Sequence, residues 1–359
     1  MLGLMLQAHP RMAIPPENRF VLPTYLHRDE YSDLRLSEDR RKLADKIVRT
    51  KGGKFKDFGL DADEITERIV EECSTVGSAL GLVLRAYADR FGKVRWGDKR
   101  PGYHGYVEVI QRLFPDAQFI NIVRDGRDVA ASLQWVPPLN EAGPYRRIQA
   151  WREALDNTRA AREWLRPDTY YELQYEHLVT EPEKELRGLC DFLGEPFDEA
   201  MLNPQDVSHQ VVPERKTWHA NTRNKVSSSS IGKFKEQLQP WEIGLCEAVF
   251  GDLLEEYGYE LTGAPAPEEE HLEEYRRTEA KRLGKLRKEK EKDRALWDAR
   301  PVADMPPSSE HDQVRQRLAA AEKERDQLKK RLDDLNDASG RSWTRSARNT
   351  LGKISRGRT

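Results

Sequence analysis

The chain has 359 residues, of which 37% are hydrophobic and 34% are charged, and its formal net charge is −2. This length exceeds one typical compact domain, so we expect one large domain and an additional segment. The charge balance gives no reason to expect binding to nucleic acid. The three cysteines are odd in number, far apart and without a CxxC pair, which argues against a disulfide framework or a zinc site and favours a cytoplasmic protein.

The first ninety residues are predicted to be mainly helical. Leu2–Leu6 has the composition of a buried helix, which we expect to end near His9 because that residue precedes Pro10. Ala13–Leu22 is expected to be extended or loop, and Asp61–Arg90 has the apolar spacing of a helix. We assign these apolar positions to core packing.

A strand–loop–helix alternation follows. Val94–Trp96 is predicted as a short strand, Tyr106–Phe114 as an amphipathic helix and Gln118–Val123 as a buried strand rich in β-branched residues. Arg124–Asp128 follows as a polar hinge, and Val129–Trp135 is predicted to begin another helix. This pattern continues with a strand at Thr169–Gln174, and it predicts an α/β fold with a parallel sheet covered by helices.

Later segments are predicted from their charge and from the Gly and Pro residues that separate them. The predicted helices are Tyr145–Leu165, Leu186–Leu193, Trp241–Tyr257 and the charged segment Glu268–Asp298. Residues 314–335 have the apolar spacing of about three heptads, so they predict either a short coiled coil that forms a homodimer or a lone solvated helix. The tail from Arg341 is basic; disorder is favoured over contact with an anionic membrane surface.

Arg124 and Ser132 are the first candidates for ligand binding. Arg124 ends the predicted strand Gln118–Val123, and Ser132 lies about two turns into the following helix. Ligands of parallel sheets bind beyond the carboxyl ends of the strands, where an arginine and free backbone N–H groups suit an anion. The alternative is a surface Arg–Asp pair that caps a helix.

The fourteen residues Phe119–Ser132 resemble the 3′-phosphate-binding motif of sulfotransferases that use 3′-phosphoadenylyl sulfate. The resemblance implies a P-loop-like parallel sheet flanked by helices, with Arg124 and Ser132 holding the 3′-phosphate. Met5–Pro10, followed by Glu17 and Arg19, resembles the tyrosylprotein sulfotransferases and their bacterial relatives. That resemblance implies that Glu17 is the general base and that Arg19 orients the acceptor or sulfate. Without that resemblance, the favoured interpretation of Glu17 is a solvated carboxylate in a loop.

Three further segments extend the resemblance. Gly97–Pro101 is similar to the Gly-Glu-Lys-Thr-Pro segment of this branch, which implies that Lys99 approaches the sulfate; Arg100 departs from the usual small hydroxyl residue. Tyr175 begins a segment that resembles the family's Tyr-Glu-x-Leu segment, which implies a mainly structural role or a place near the adenine. Ser230 and Lys233 belong to a segment that resembles the loop closing over the cofactor phosphates.

Together these features predict transfer of a sulfuryl group to the hydroxyl of a small molecule, glycan or lipid. No metal is expected, because a lysine and backbone donors can stabilise the transferred group, which carries less charge than a phosphoryl. The alternatives are a catalytically inactive relative that serves as a coiled-coil scaffold and a small-molecule kinase. The kinase is disfavoured because no Gly-Lys-Ser/Thr loop is evident.

The predicted boundaries are 1–262 for the sulfotransferase domain, 263–307 for a charged helical linker, 308–336 for the coiled coil and 337–359 for the basic tail. The resemblance covers the first of these and implies a 5′-phosphosulfate loop directly before the segment at Met5. The sequence starts where that loop should end. We favour a start at an internal methionine of a longer protein; the alternative is a chain that lacks the loop and is inactive or very weak.

Overall fold

A computed structural model describes residues 1–31, 33–208 and 226–298, together with Gln327. The described residues up to Asp298 belong to one compact unit spanning residues 1–303. The strands are β1 Met12–Ala13, β2 Arg95–Trp96, β3 Phe119–Val123 and β4 Tyr170–Gln174. The helices are α1 Leu2–Ala8, α2 Val21–Leu26, α3 Ser37–Val48, α4 Ala62–Glu72, α5 Val76–Asp89, α6 Val107–Leu113, α7 Gly126–Leu133, α8 Pro144–Trp164, α9 Tyr175–Thr180, α10 Pro182–Leu193, α11 Phe234–Gln237, α12 Pro240–Glu256 and α13 Glu269–Asp298.

The predicted coiled coil and basic tail lie outside the described residues, apart from Gln327.

The segment predicted to be helical over Asp61–Arg90 forms two helices, α4 and α5. The Asp61 side chain caps α4 by accepting hydrogen bonds from the amides of Asp63 and Glu64 at 2.9 and 2.8 Å. A capping box at Thr75 starts α5, in which the side chains of Thr75 and Ser78 each accept from the other's backbone amide. The extended backbone between these helices cannot continue α4, so the segment predicted to be helical contains one break that was not predicted.

Helices α2 and α3 were not predicted. In α3 the buried apolar side chains are Leu43, Ala44, Ile47 and Val48, which are spaced so that they share one face of the helix. This stripe was available in the sequence as a signal for α3. The first two residues of α2, Val21 and Leu22, lie in the segment that was expected to be extended or loop. The helix begins where the amide of Val21 donates to the Asn18 side chain at 3.3 Å.

Two separate parallel pairs of strands replace the predicted single sheet among the described residues. In the first pair, Met12 lies opposite Arg95, and the ladder continues where the Gly97 amide donates to the Ala13 carbonyl at 2.9 Å. In the second, β3 pairs with β4 over five residues, from Phe119 opposite Tyr170 onward. Side chains link the two pairs, because Arg95 of β2 donates to Gln118 next to β3. The chain is thus a mixed α/β protein with small parallel sheets.

Hydrophobic cores cover both strand pairs. One core packs α3, α4 and α5 against β1, and another packs α7, α8, α12 and α13 against the end of β3. Gly126 shows how close α7 lies to α8, since a Cβ at this position would come within 2.7 Å of the Trp151 ring. The amide of Arg127 donates to the Asp125 side chain at 2.9 Å, so Asp125 caps α7 at the end of β3.

Candidate active site

Glu17 and Lys99 form an ion pair, although 82 residues separate them in the sequence. Each follows a strand of the same parallel pair, β1 or β2, and parallel strands bring their carboxyl ends to one edge. The Glu17 side chain is 23% exposed and the Lys99 side chain 53% exposed. The structure therefore brings together the predicted base and the predicted lysine at a position that solvent reaches.

Arg19 lies two residues beyond Glu17, with an exposed side chain. Its backbone amide donates to the Gly53 carbonyl at 2.9 Å, which anchors the loop carrying Glu17 to the segment before Phe55. The loop is fixed by its backbone, while the Arg19 side chain is exposed to solvent.

Asp98 lies at the centre of a hydrogen-bond network that sequence reasoning missed. One of its carboxylate oxygens accepts from Asn18 Nδ2 at 2.6 Å and from the Tyr103 hydroxyl, and the other accepts from the Lys99 amide at 2.9 Å. Burial raises the pKa of Asp98, against the opposite effect of the hydrogen bonds from Tyr103 and Asn18. Asp98 stood within a recognised motif, but nothing in its local pattern identified Asn18 as its partner.

A second group of predicted residues converges at the end of β3. Arg124 Nη2 donates to the Ser230 carbonyl at 2.5 Å, and the guanidinium carbon lies 4.6 Å from the centroid of the Tyr175 ring. The Arg124 carbonyl accepts from Trp151 Nε1 at 2.9 Å, which fixes the backbone at the hinge. Arg124, Tyr175 and Ser230, which were predicted to bind the nucleotide, therefore lie together.

Asp128 holds the loop that carries Ser230 and Lys233. This residue is 1% exposed, and its two carboxylate oxygens accept from the amides of Gly232 and Phe234 at 2.8 and 2.9 Å. Those two amides flank Lys233, which is half-buried. Asp128 was quoted in the motif without a role, and its contacts assign it one: it joins α7 to the loop before α11.

Ser132 is exposed on α7, one helical turn beyond Asp128. Residues four apart lie on the same face of a helix, so Ser132 shares a face of α7 with Asp128, whose carboxylate lies 3.5 Å from Arg124. Arg127, in contrast, points into the core, where it donates to Asp125 at 2.8 Å and to Glu247 at 2.7 Å. The two arginines of the motif thus differ: Arg124 lines the candidate site, and Arg127 supports its backbone.

The chain belongs to the sulfotransferase family, whose family model matches residues 1–199. Among curated relatives, protein-tyrosine sulfotransferase 1 of Danio rerio is 26% identical over 191 residues, which cover 50% of this chain and 51% of the relative. The omega-hydroxy-beta-dihydromenaquinone-9 sulfotransferase Stf3 of Mycobacterium tuberculosis (strain CDC 1551 / Oshkosh) is 26% identical over 183 residues, which cover 45% of this chain and 40% of the relative. The chain therefore spans about half or less of the length of these relatives.

A solved sulfotransferase domain from the curacin biosynthetic pathway aligns with 72% of this chain and 93% of its own length, at 23% identity and a TM-score of 0.49.

Within residues 1–31, 33–208 and 226–298, no group of three or more His, Cys, Asp or Glu side chains could hold a metal ion. In the same part of the chain, no helix combines the length and apolar character needed to cross a membrane.

Proposed function

We propose that this chain transfers the sulfuryl group of 3′-phosphoadenylyl sulfate to a hydroxyl group of an acceptor. Family membership supports sulfuryl transfer in general. The observation that carries the specific proposal is the Glu17–Lys99 pair, which places a carboxylate beside an ammonium group at the end of a parallel strand pair. A carboxylate can accept the proton of a hydroxyl, and an ammonium group can stabilise negative charge on a leaving oxygen.

The residues at the end of β3 fit the nucleotide. Among the described residues, no acceptor contacts the buried Nε of Arg124. A buried donor without a partner costs free energy, and the phosphate of a bound nucleotide can satisfy it. The Ser132 side chain is exposed, and Tyr175 offers a ring next to the guanidinium group of Arg124. Arg124, Ser132, Tyr175, Ser230 and Lys233 would hold the nucleotide, with Lys233 and Arg124 supplying positive charge.

In this proposal, Glu17 accepts the acceptor's hydroxyl proton as the acceptor oxygen bonds to sulfur. The bond between sulfur and the bridging phosphate oxygen breaks, and Lys99 stabilises the charge that develops on that oxygen. The exposed guanidinium group of Arg19 orients the acceptor or the sulfate. Arg124 and Ser132 supply binding energy at a distance from the reacting atoms.

The acceptor carries a hydroxyl group. The names of the curated relatives indicate two acceptor types, tyrosine in proteins and the ω-hydroxyl of a menaquinone. For this chain, a small molecule, a glycan or a lipid stays a prediction, as do a cytoplasmic location, a homodimer through residues 314–335 and membrane contact by the tail. The comparisons give no support to the alternative of an inactive scaffold.

Calorimetry with adenosine 3′,5′-bisphosphate tests the nucleotide site. The wild-type chain should bind, and Arg124→Ala should weaken binding by about 100-fold, because two charge-assisted hydrogen bonds of roughly 1.5 kcal/mol each are lost. Arg166→Ala, which removes an exposed arginine paired with Asp168, is the matched control. Equal binding by wild type and Arg124→Ala would exclude this site.

Sulfuryl transfer itself is tested with radiolabelled donor and two acceptors, a tyrosine peptide and a long-chain alcohol. Glu17→Gln should lower kcat by roughly 100-fold or more while leaving nucleotide binding intact, since an amide cannot act as a base. Unchanged kcat in this variant would show that Glu17 is not the base.

A further inference from the structure

We propose that Asp98 is a positioning residue, which clamps the loop carrying Glu17 to the loop carrying Lys99 through its hydrogen bond with Asn18. The inference rests on the proposed function, because it assigns Asp98 a role in presenting the proposed base and lysine. It adds a residue pair, Asn18–Asp98, that neither the sequence motifs nor the comparisons assign.

The need for a clamp follows from where the strand ladder stops. The backbone hydrogen bonds of the β1–β2 pair end with the bond from the Gly97 amide to the Ala13 carbonyl. Glu17 and Lys99 lie beyond this point, so ladder hydrogen bonds do not fix their separation. Their ion pair is exposed on the Lys99 side, and exposed ion pairs are weak and screened by salt.

The Asn18–Asp98 contact lies one residue away from both members of that pair. Asn18 is fully buried, at 0% exposure, and its Nδ2 atom donates to Asp98 Oδ2 at 2.6 Å. The other end of the Asn18 amide accepts from the Val21 amide at 3.3 Å, which ties the clamp to the start of α2. A short charge-assisted hydrogen bond of a buried side chain is stronger and better defined in geometry than an exposed ion pair.

Asp98 is the acceptor in every one of these contacts. Its Oδ2 atom accepts from Asn18 and Tyr103, and its Oδ1 atom accepts from the Lys99 amide. An ionised carboxylate offers only acceptors, whereas an amide of the same shape replaces one oxygen with a donor. Asp98→Asn therefore sets two N–H donors against each other, or breaks the contact with the Lys99 amide, without changing the volume of the side chain.

The sharpest test exchanges the two partners. In the double variant Asn18→Asp/Asp98→Asn, the amide at 98 donates to the carboxylate at 18, and its oxygen still accepts from the Lys99 amide. The carboxylate at 18 keeps an oxygen for the Val21 amide. Each single variant should lower kcat on the order of 10- to 100-fold, the cost of a small misplacement of reacting groups. The double variant should recover to within about threefold of wild type, since the donor–acceptor pairing is restored.

Two readouts separate positioning from a general loss of structure. The dissociation constant for adenosine 3′,5′-bisphosphate and the KM for the sulfuryl donor should stay unchanged in both single variants, since Arg124 lies on a different strand pair. Asp116→Asn, at an exposed aspartate outside the site, is the matched control. Full activity of Asp98→Asn, or equal losses in the single and double variants, would overturn the clamp.

Crystal structures of the wild type, Asp98→Asn and the double variant provide a readout that does not depend on activity. The Glu17–Lys99 contact should be present in the wild type and the double variant and absent from Asp98→Asn. If the folded wild type transfers no sulfuryl group, the proposed function fails, and these structures still decide the clamp. If Asp98→Asn does not fold, Asn18→Ala removes the same hydrogen bond from the other side, and retention of the contact there would refute the inference.

Discussion

Arg282 donates hydrogen bonds to both carboxylate oxygens of Glu153, at 2.8–3.2 Å, and so joins α13 to α8. The Glu153 side chain is 5% exposed, and Arg146 approaches it to 3.2 Å from the same helix. Burial alone would raise the pKa of Glu153, but the hydrogen bond from Arg282 and the two guanidinium charges hold its pKa below the usual range. The charged segment after residue 268 is therefore docked on the protein, and the side chain of its own Tyr275 is buried in the core.

Glu153→Gln should detach this part of α13. The change leaves two guanidinium groups facing a neutral amide, and we expect the free energy of unfolding to fall by about 2 kcal/mol. This is less than the roughly 3–5 kcal/mol of a fully buried pair, since both arginines keep some contact with water. Hydrogen exchange should become faster in α13. Glu269→Gln, which breaks an exposed pair with Arg276, should change neither measurement.

The difference between wild type and Glu153→Gln should also depend on pH. The pKa of Glu153 is lowered in the folded state, so its contribution is present above the unfolded pKa of about 4.3 and is lost as pH falls through the lower folded pKa. Urea unfolding of both proteins from pH 7 to pH 3 should show the two stabilities converging. A constant difference across this range would contradict the ion-pair account.

Lys93 gives a second pH dependence of the same sign, in the alkaline range. Burial lowers its pKa from 10.5 to about 8, while its ammonium group donates to the Gln7 carbonyl. Between these two pKa values the unfolded chain binds more protons than the folded chain, so stability rises with pH. Relative to Lys93→Met, wild type should gain on the order of 1 kcal/mol between pH 8 and 10, a figure reduced because the group is only half-buried.

Lys184 is the control for this measurement. Its hydrogen bond with Glu181 raises its pKa, so any contribution from this exposed lysine falls as pH rises through that raised pKa. Lys184→Met should therefore produce no gain between pH 8 and 10. A rise for both lysines would point to a global effect of pH and not to the burial of Lys93.

Two glycines of α12 should respond differently to the same substitution. A Cβ at Gly244 would come within 2.0 Å of the Pro265 carbonyl oxygen, whereas a Cβ at Gly251 would meet nothing within 4 Å. Gly244→Ala should destabilise the protein by roughly 1–3 kcal/mol, because the backbone of the segment before α13 has to move. Gly251→Ala should be neutral or stabilise by up to about 1 kcal/mol through helix propensity. Equal effects in urea unfolding would show that Pro265 does not pack on α12.

The sequence predicted those parts of the site that have a local pattern. A run of β-branched residues followed by a polar hinge identified β3 and placed Arg124 at its end. The strand β1 has only two residues, too few to show a periodicity, so it was not predicted as a strand, and its residue Ala13 was assigned to the segment expected to be extended or loop. Contacts such as Asn18–Asp98 and Arg282–Glu153 join residues 80 and 129 positions apart, and such pairs leave no trace in local composition.

Asp128→Asn tests whether the loop before α11 contributes to nucleotide binding. Two effects oppose each other: the amide loses one of the hydrogen bonds to the Gly232 and Phe234 amides, and it releases Arg124, which lies 3.5 Å from the carboxylate. The bonds at 2.8 and 2.9 Å are shorter than the Arg124 contact, so we expect the loss of loop order to dominate.

The variant should bind adenosine 3′,5′-bisphosphate about tenfold more weakly than wild type, since one hydrogen bond to a charged group contributes roughly 1.5 kcal/mol. Asp156→Asn, which alters an exposed i,i+4 pair with Arg152 on α8, is the control and should bind as wild type does. Tighter binding by Asp128→Asn would mean that the carboxylate competes with the nucleotide phosphate for Arg124, because releasing the guanidinium group would then outweigh the loosened loop.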